Sequence, residues 1–186
     1  MDLSKNDFWK YSFSDLLDNR NRASFGEFIV ASALDTLNKP PETSWEDYDV
    51  RLPLENGRFI RVEVKTSGYI QRWVQKKASV ISFDIAQKRG WVGDGTEMTK
   101  NVDRHSDVYV FCLHKEEYID EKSKKDTNPL DMDNWCFYVV PTALINEKLE
   151  TQKSVRISTI KGFLGIEEIG YTELKGKLID LDLLES

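Results

Sequence analysis

The sequence predicts a mixed α/β fold, and three observations predict it. Residues 22–38 carry apolar side chains at helical spacing. Residues 49–65 alternate about a tight Asn56-Gly57 turn, as a β-hairpin does. Residues 107–113 and 135–140 are β-branched and aromatic enough for buried strands.

In the first element, Phe25, Phe28, Ile29, Val30, Ala33, Leu34 and Leu37 lie almost all round the helix, as expected for one packed on a core. Glu27 falls inside this run, with Ala23, Ser24, Val30, Ala31 and Leu34 as its helical neighbours. Such a carboxylate either reaches solvent or a cation at the helix boundary, or finds a partner inside, because an unpaired buried charge is costly.

The hairpin admits two registers. A two-residue loop sets Asp49 against Val64 and Val50 against Glu63, mixing polar and apolar residues on both faces. A three-residue loop, Glu55-Asn56-Gly57 with Gly57 left-handed, sets Val50 against Val62 and Leu52 against Ile60. The second register segregates the faces and is the one expected. It puts Asp49 opposite Glu63, with Lys65 next on the same polar face. Asp47 lies on that face one step earlier, and a two-residue slip would exchange the two acids.

Acids directly opposite on a ladder repel. They form either a solvated face offset by Arg61 and Lys65, or a ligand pair for a divalent cation. Mg²⁺ is commonly held by one or two carboxylates together with substrate phosphates.

A helix Glu27, a strand Asp49 and then Glu63-Val64-Lys65 resemble the signature of the PD-(D/E)XK, or restriction-endonuclease-like, nuclease superfamily. The resemblance spans about residues 22–141, with Tyr48 rather than Pro before the Asp. It implies a mixed sheet flanked by helices, in αβββαβ-type order, completed by residues 80–85, 107–113 and 135–140. It implies a metal-dependent nuclease acting on DNA phosphodiester bonds, an endonuclease of restriction or repair type. Mg²⁺ or Mn²⁺ would sit on Asp49, Glu63 and the Val64 carbonyl, with Glu27 binding a second ion or orienting water. Lys65 would orient or help deprotonate the attacking water. DNA is the expected partner, RNA being compatible, and a homodimer is expected if both strands are cut. The competing readings are an inactive nuclease-fold module that binds nucleic acid or protein, and an α/β interaction domain whose acids are merely solvated.

The chain's 186 residues suit a single domain spanning 1–186. A net charge of −6 does not advertise a polyanion ligand, but its distribution does. Residues 58–105 hold ten Lys/Arg against five Asp/Glu, net +5, which leaves −11 on the rest. Cations and aromatics interleave there, and Arg72, Trp73, Lys76, Lys77, Lys88 and Arg89 are the candidate nucleic-acid contacts. The Gly90–Gly95 segment lacks the Lys-Ser/Thr of a phosphate loop and is expected to be a flexible loop near the site.

Two histidines and two cysteines provide no four-ligand zinc set. Cys112 and Cys136 fall in strand-like runs and are expected to be reduced core residues. No basic region followed by an apolar stretch opens the chain, so no signal peptide is expected and a cytoplasmic location is. The polar run 116–134 reads as a loop, and Pro141-Thr142 as the start of a helix to about residue 150. Residues 154–160 read as a small strand or turn with Ser158 as a helix cap, and 172–184 as a terminal helix.

Overall fold

A computed structural model describes residues 3–37, 46–92 and 97–184. Its main sheet has four strands: β1 (Val50–Pro53), β2 (Phe59–Gly68), β6 (Val108–His114) and β7 (Trp135–Pro141), in that spatial order. Two short ribbons lie between β2 and β6 in the chain or pair back from it. β3 (Ser82–Asp84) pairs with β8 (Ser154–Arg156), and β4 (Lys88–Val92) pairs with β5 (Glu97–Asp103). The helices are α1 (Lys5–Phe13), α2 (Asn19–Ala33), α3 (Thr142–Leu149), α4 (Ile157–Gly162) and α5 (Leu174–Leu184).

The hairpin forms in the segregated register: Val50 faces Val62 and Leu52 faces Ile60. Gly57 takes φ +81°, the left-handed turn position that a Cβ disfavours. β2 then runs parallel to β6, and β7 returns antiparallel, so the sheet is mixed.

Both faces of the sheet are covered, which is why β6 and β7 are apolar along nearly their whole length. On one face, Val62, Val64, Val110 and Phe137 pack under Ile29 and Val30 of α2, Leu34 at its C-cap, and Leu174 and Leu178 of α5. On the other, Phe111, Tyr138 and Val140 pack under Phe83, Val155, Ile145 and Ile160. Cys112 belongs to the first core and Cys136 to the second, and both thiols are free and buried.

The mixed sheet flanked by helices is therefore as expected, with differences in detail. The run at residues 80–85 alternates as a strand should, but β3 pairs with β8 outside the main sheet. Among the described residues, the crossover from β2 to β6 holds short strands rather than a helix. The central helix starts earlier and ends earlier than its apolar run: Asp18 caps it through the Arg20 amide, and Asp35 at φ 59° turns the chain out. Asn38 lies outside the described residues. Ser158 sits inside the first turn of α4, whose cap position is Arg156. Gly90 is a strand residue of β4, and residues 93–96 lie outside the described residues. No helix among the described residues is long and apolar enough to cross a membrane.

Candidate active site

β1 is shorter than its partner, and the site forms where it stops. β2 runs on past Val62, and its Val64 amide has no β1 residue to pair with. Asp49, one residue before β1, fills the gap. Its backbone N–H donates to the Val62 carbonyl at 3.0 Å, and its Oδ2 accepts from the Val64 N–H at 2.7 Å. Asp49 is thus fixed by both main chain and side chain against the edge that carries Glu63 and Lys65.

Strand alternation turns Val62 and Val64 toward α2 and leaves Glu63 and Lys65 on the opposite face, beside Tyr109 and Phe111 of β6. Their side chains are only 15% and 21% exposed, and the Lys65 ammonium donates to Glu63 Oε1. Burial alone would lower the Lys65 pKa, but the Glu63 and Asp49 carboxylates outweigh it and hold the group above the ordinary lysine value. Burial and the neighbouring Glu63 raise Asp49, while Lys65, the Val64 amide and Lys88 pull it back only in part. The two acids therefore sit in each other's field, with the Lys65 ammonium paired to Glu63 and acting on Asp49.

Glu27 arrives from α2. Gly26 lets the helix approach β2 closely: a Cβ there would overlap Thr66 Cγ2. Glu27 and Asp49 line one cavity of about 620 Å³, whose walls also include Phe28, Leu37 and Pro53. Burial and then the Asp49 charge push the Glu27 carboxyl up to about 7, with Lys65 opposing and Glu63 adding.

This raised value predicts a pH signature in metal-free buffer. The folded protein holds a proton on Glu27 more tightly than the unfolded chain does. The stability linked to that proton is complete below the ordinary glutamate value of 4.5 and is lost as pH rises through about 7. Glu27→Gln should therefore gain in melting temperature over the wild type between pH 5 and 8. A difference that stays constant over that range would show that Glu27 is solvated.

Asp47, the rival strand acid, is used elsewhere. Its Oδ1 accepts from the Trp91 N–H at 2.7 Å, and its Oδ2 lies 3.9 Å from His105 Nδ1. Gly90 is pressed against it: a Cβ there would lie 2.8 Å from Asp47 Cγ. Asp47 thus ties β4 to the start of β1.

Three further residues reach the site: Asp84 and Tyr109, which the sequence does not single out, and Lys88, expected there only as a nucleic-acid contact. Asp84 of β3 acts on the Lys65 charge, and it pairs with Lys88 at 3.2 Å. Lys88 in turn acts on Asp49, and Tyr109 faces Glu63 across the β2–β6 ladder. The alternation of Ile81, Phe83 and Ile85 was the available signal for Asp84, since it turns residues 82 and 84 away from the core.

The other basic candidates are dispersed. Arg72 forms ion pairs with Asp15 and Asp18, both at 3.1 Å, near the start of α2. Trp73 beside it is 55% exposed, and Lys124 Nζ holds the carbonyls of both residues. Lys76, Lys77, Lys88 and Arg89 are exposed.

Among the described residues, no three Asp, Glu, His or Cys side chains converge tightly enough to cage an ion. The donor set suits a hard cation nonetheless. Mg²⁺ keeps several waters and takes only one or two protein carboxylates, and here two carboxylates are forced together beside the Val64 main chain.

The sequence matches no protein-family model, and no curated protein matches it. Among solved structures, the chain is similar to a bacterial homing endonuclease, I-Ssp6803I, with a TM-score of 0.41 and 13% identity, over 74% of this chain and 76% of that one. Similarity at this level leaves function to be read from the site's own residues.

Proposed function

We propose that the protein is a metal-dependent nuclease of the PD-(D/E)XK type that hydrolyses phosphodiester bonds in DNA. One observation carries this reading: Asp49, Glu63 and Lys65 share a half-buried site where β1 stops, with Glu27 in the same electrostatic field. Two mutually repelling acids and a captive ammonium are poor structural material. A solvated polar face would leave them exposed, whereas Glu63 and Lys65 are mostly covered.

Asp49 and Glu63, with the Val64 carbonyl, would hold Mg²⁺ or Mn²⁺. When bound, such an ion polarises the scissile phosphate and acidifies a water. The protein's own groups supply the rest. Asp49 is held rigid by the Val64 amide, so its free oxygen has a fixed direction. Lys65, kept protonated by its acid neighbours, donates to the attacking water or to a phosphate oxygen and offsets the charge that develops there. Glu27 orients the water from the α2 side or takes part in holding a second ion.

The test is incubation of the purified protein with supercoiled plasmid, linear duplex and single-stranded DNA, with Mg²⁺ or Mn²⁺ and with EDTA. Supercoiled plasmid should convert to nicked or linear forms only when the ion is present. A protein that binds DNA but cuts none of the three substrates with either ion would be a binding module, and the catalytic reading would fall.

A further inference from the structure

Neither core includes a residue of the β4–β5 ribbon, and both acids of its described residues fall on one face. Arg89 pairs with Val102 and Trp91 with Met98, so these four share one face. Met98 and Val102 are 50% and 53% exposed, and Arg89 is exposed with them. The register shifts between those two pairs, and exposed Lys100 lies in the irregularity. Both acids of the described ribbon fall on the other face: Asp103 pairs with Lys88, and Glu97 with Val92. At Gly90 that second face meets the body, where an added Cβ would press on Asp47 and His105, while Asp103 and Glu97 on the same face remain exposed.

An exposed face with cations and apolar groups but no acid suits a polyanion that also offers apolar edges. Duplex DNA is such a partner, its phosphates flanking a groove that displays thymine methyl groups. Size agrees: the wide groove, about 12 Å across, admits a two-stranded β-ribbon, and the narrow one, about 6 Å across, does not. The ribbon is also fastened beside the candidate site along β4. Trp91 N–H donates to Asp47, two residues before Asp49, and His105 Nε2 lies 2.9 Å from the Lys88 carbonyl. A duplex gripped by the ribbon would present its backbone to Asp49, Glu63 and Lys65.

We infer that the β4–β5 ribbon is the DNA-reading arm of this protein: its Arg89, Trp91, Met98 and Val102 face, with exposed Lys100 in the irregularity between the pairs, enters the wide groove of duplex DNA. This inference rests on the nuclease reading for its substrate. Its test is kept separate by measuring binding in EDTA, where no ion supports cutting.

The experiment measures affinity for a fluorescent mixed-sequence duplex over a range of salt, using the full chain. Arg89→Ala/Lys100→Ala should weaken binding by roughly tenfold or more and flatten the log–log salt dependence by about 2, one unit per lost phosphate contact. Lys122→Ala/Lys125→Ala removes two exposed cations far along the chain and should bind as the wild type does. Both pairs are surface residues, and circular dichroism checks that each variant folds. The inference is overturned if the ribbon variant binds like the wild type, if the control variant loses as much, or if a single strand of equal length binds more tightly than the duplex. It is equally overturned if the wild type binds no duplex. Ribbon-dependent binding by a protein that cuts nothing with Mg²⁺ would remove the nuclease reading and leave the reading arm standing.

Discussion

Lys65→Met is expected to lower metal-dependent DNA cleavage by roughly 10²–10³-fold, the usual cost of removing one preorganised charge-stabilising donor. The substitution keeps the aliphatic stem and deletes the ammonium. Its second consequence concerns stability. In the native protein Lys65 pairs with Glu63 and acts on Asp49, and its raised pKa means that its charge stabilises the fold throughout the neutral range. By linkage that contribution is complete below the ordinary lysine value and is lost only as pH rises through the elevated native one. Without it, the acids repel one another unrelieved. The variant should melt below the wild type at pH 8, and the gap should narrow as pH falls and Asp49, whose carboxyl is held above its ordinary value, takes up a proton. Mg²⁺ or Mn²⁺ should restore part of the loss if the acid pair holds the ion. Cleavage by Lys65→Met at the wild-type rate would remove Lys65 from the mechanism. Equal melting temperatures at pH 8 would mean that the ion pair is solvated.

How much of this was legible in the sequence differs from element to element, for physical reasons. The hairpin register was legible because only one pairing segregates apolar from polar residues, and Gly57 alone could take the left-handed turn position. β6 and β7 were legible because strands covered on both faces are apolar throughout. Glu27 stood out as a carboxylate among apolar helical neighbours. By contrast, alternation at Ile81, Phe83 and Ile85 says that a strand exists but not what it pairs with. Its partner, β8, begins 70 positions beyond Asp84 and was itself too short to announce a sheet. β4 is hidden in the sequence, where Gly90–Gly95 reads as a loop, because its Lys-Arg-Gly-Trp-Val run has no alternation and its register is broken opposite Gly90. α1 has a readable cap, with Ser4 accepting from the Asp7 amide, but it buries no residue and so shows no core-facing stripe.

The site shows the same division. Which of two acids belongs with Glu63 was undetermined by alternation, because Asp47 and Asp49 share a parity. The structure distinguishes them by what each carboxylate accepts: a β2 amide for Asp49 and a β4 amide for Asp47. Long-range donors of this kind leave no local pattern. The same holds for Lys88, which reaches Asp49 only because Asp47 and His105 fasten β4 in place.

Gly26→Ala is expected to be destabilising in the wild type and stabilising in a Thr66→Ala background. Alanine is the better helix residue by about 1 kcal/mol, so on an unobstructed helix the change should help. Here the new Cβ overlaps Thr66 Cγ2, and Thr66 is β-branched in a strand, where its χ1 has little freedom. Either α2 lifts from β2 or Thr66 leaves its rotamer, and forced overpacking of this kind costs about 1–3 kcal/mol, more than propensity returns. With Thr66 truncated, the next neighbours of the added Cβ are Thr66 Cβ at 3.5 Å and Val64 Cγ1 at 3.6 Å, both ordinary contacts. The obstruction disappears and the helix gain is left. The double-mutant cycle should therefore show a coupling of about 1–3 kcal/mol with a change of sign. Cleavage should follow the same pattern, because Glu27 is the next residue and moves with the helix: reduced in Gly26→Ala and recovered in the double variant. If the two substitutions add without coupling, the close approach of α2 to β2 is not what positions Glu27. If stability couples while cleavage stays at the wild-type level throughout, Glu27 does not act in the site.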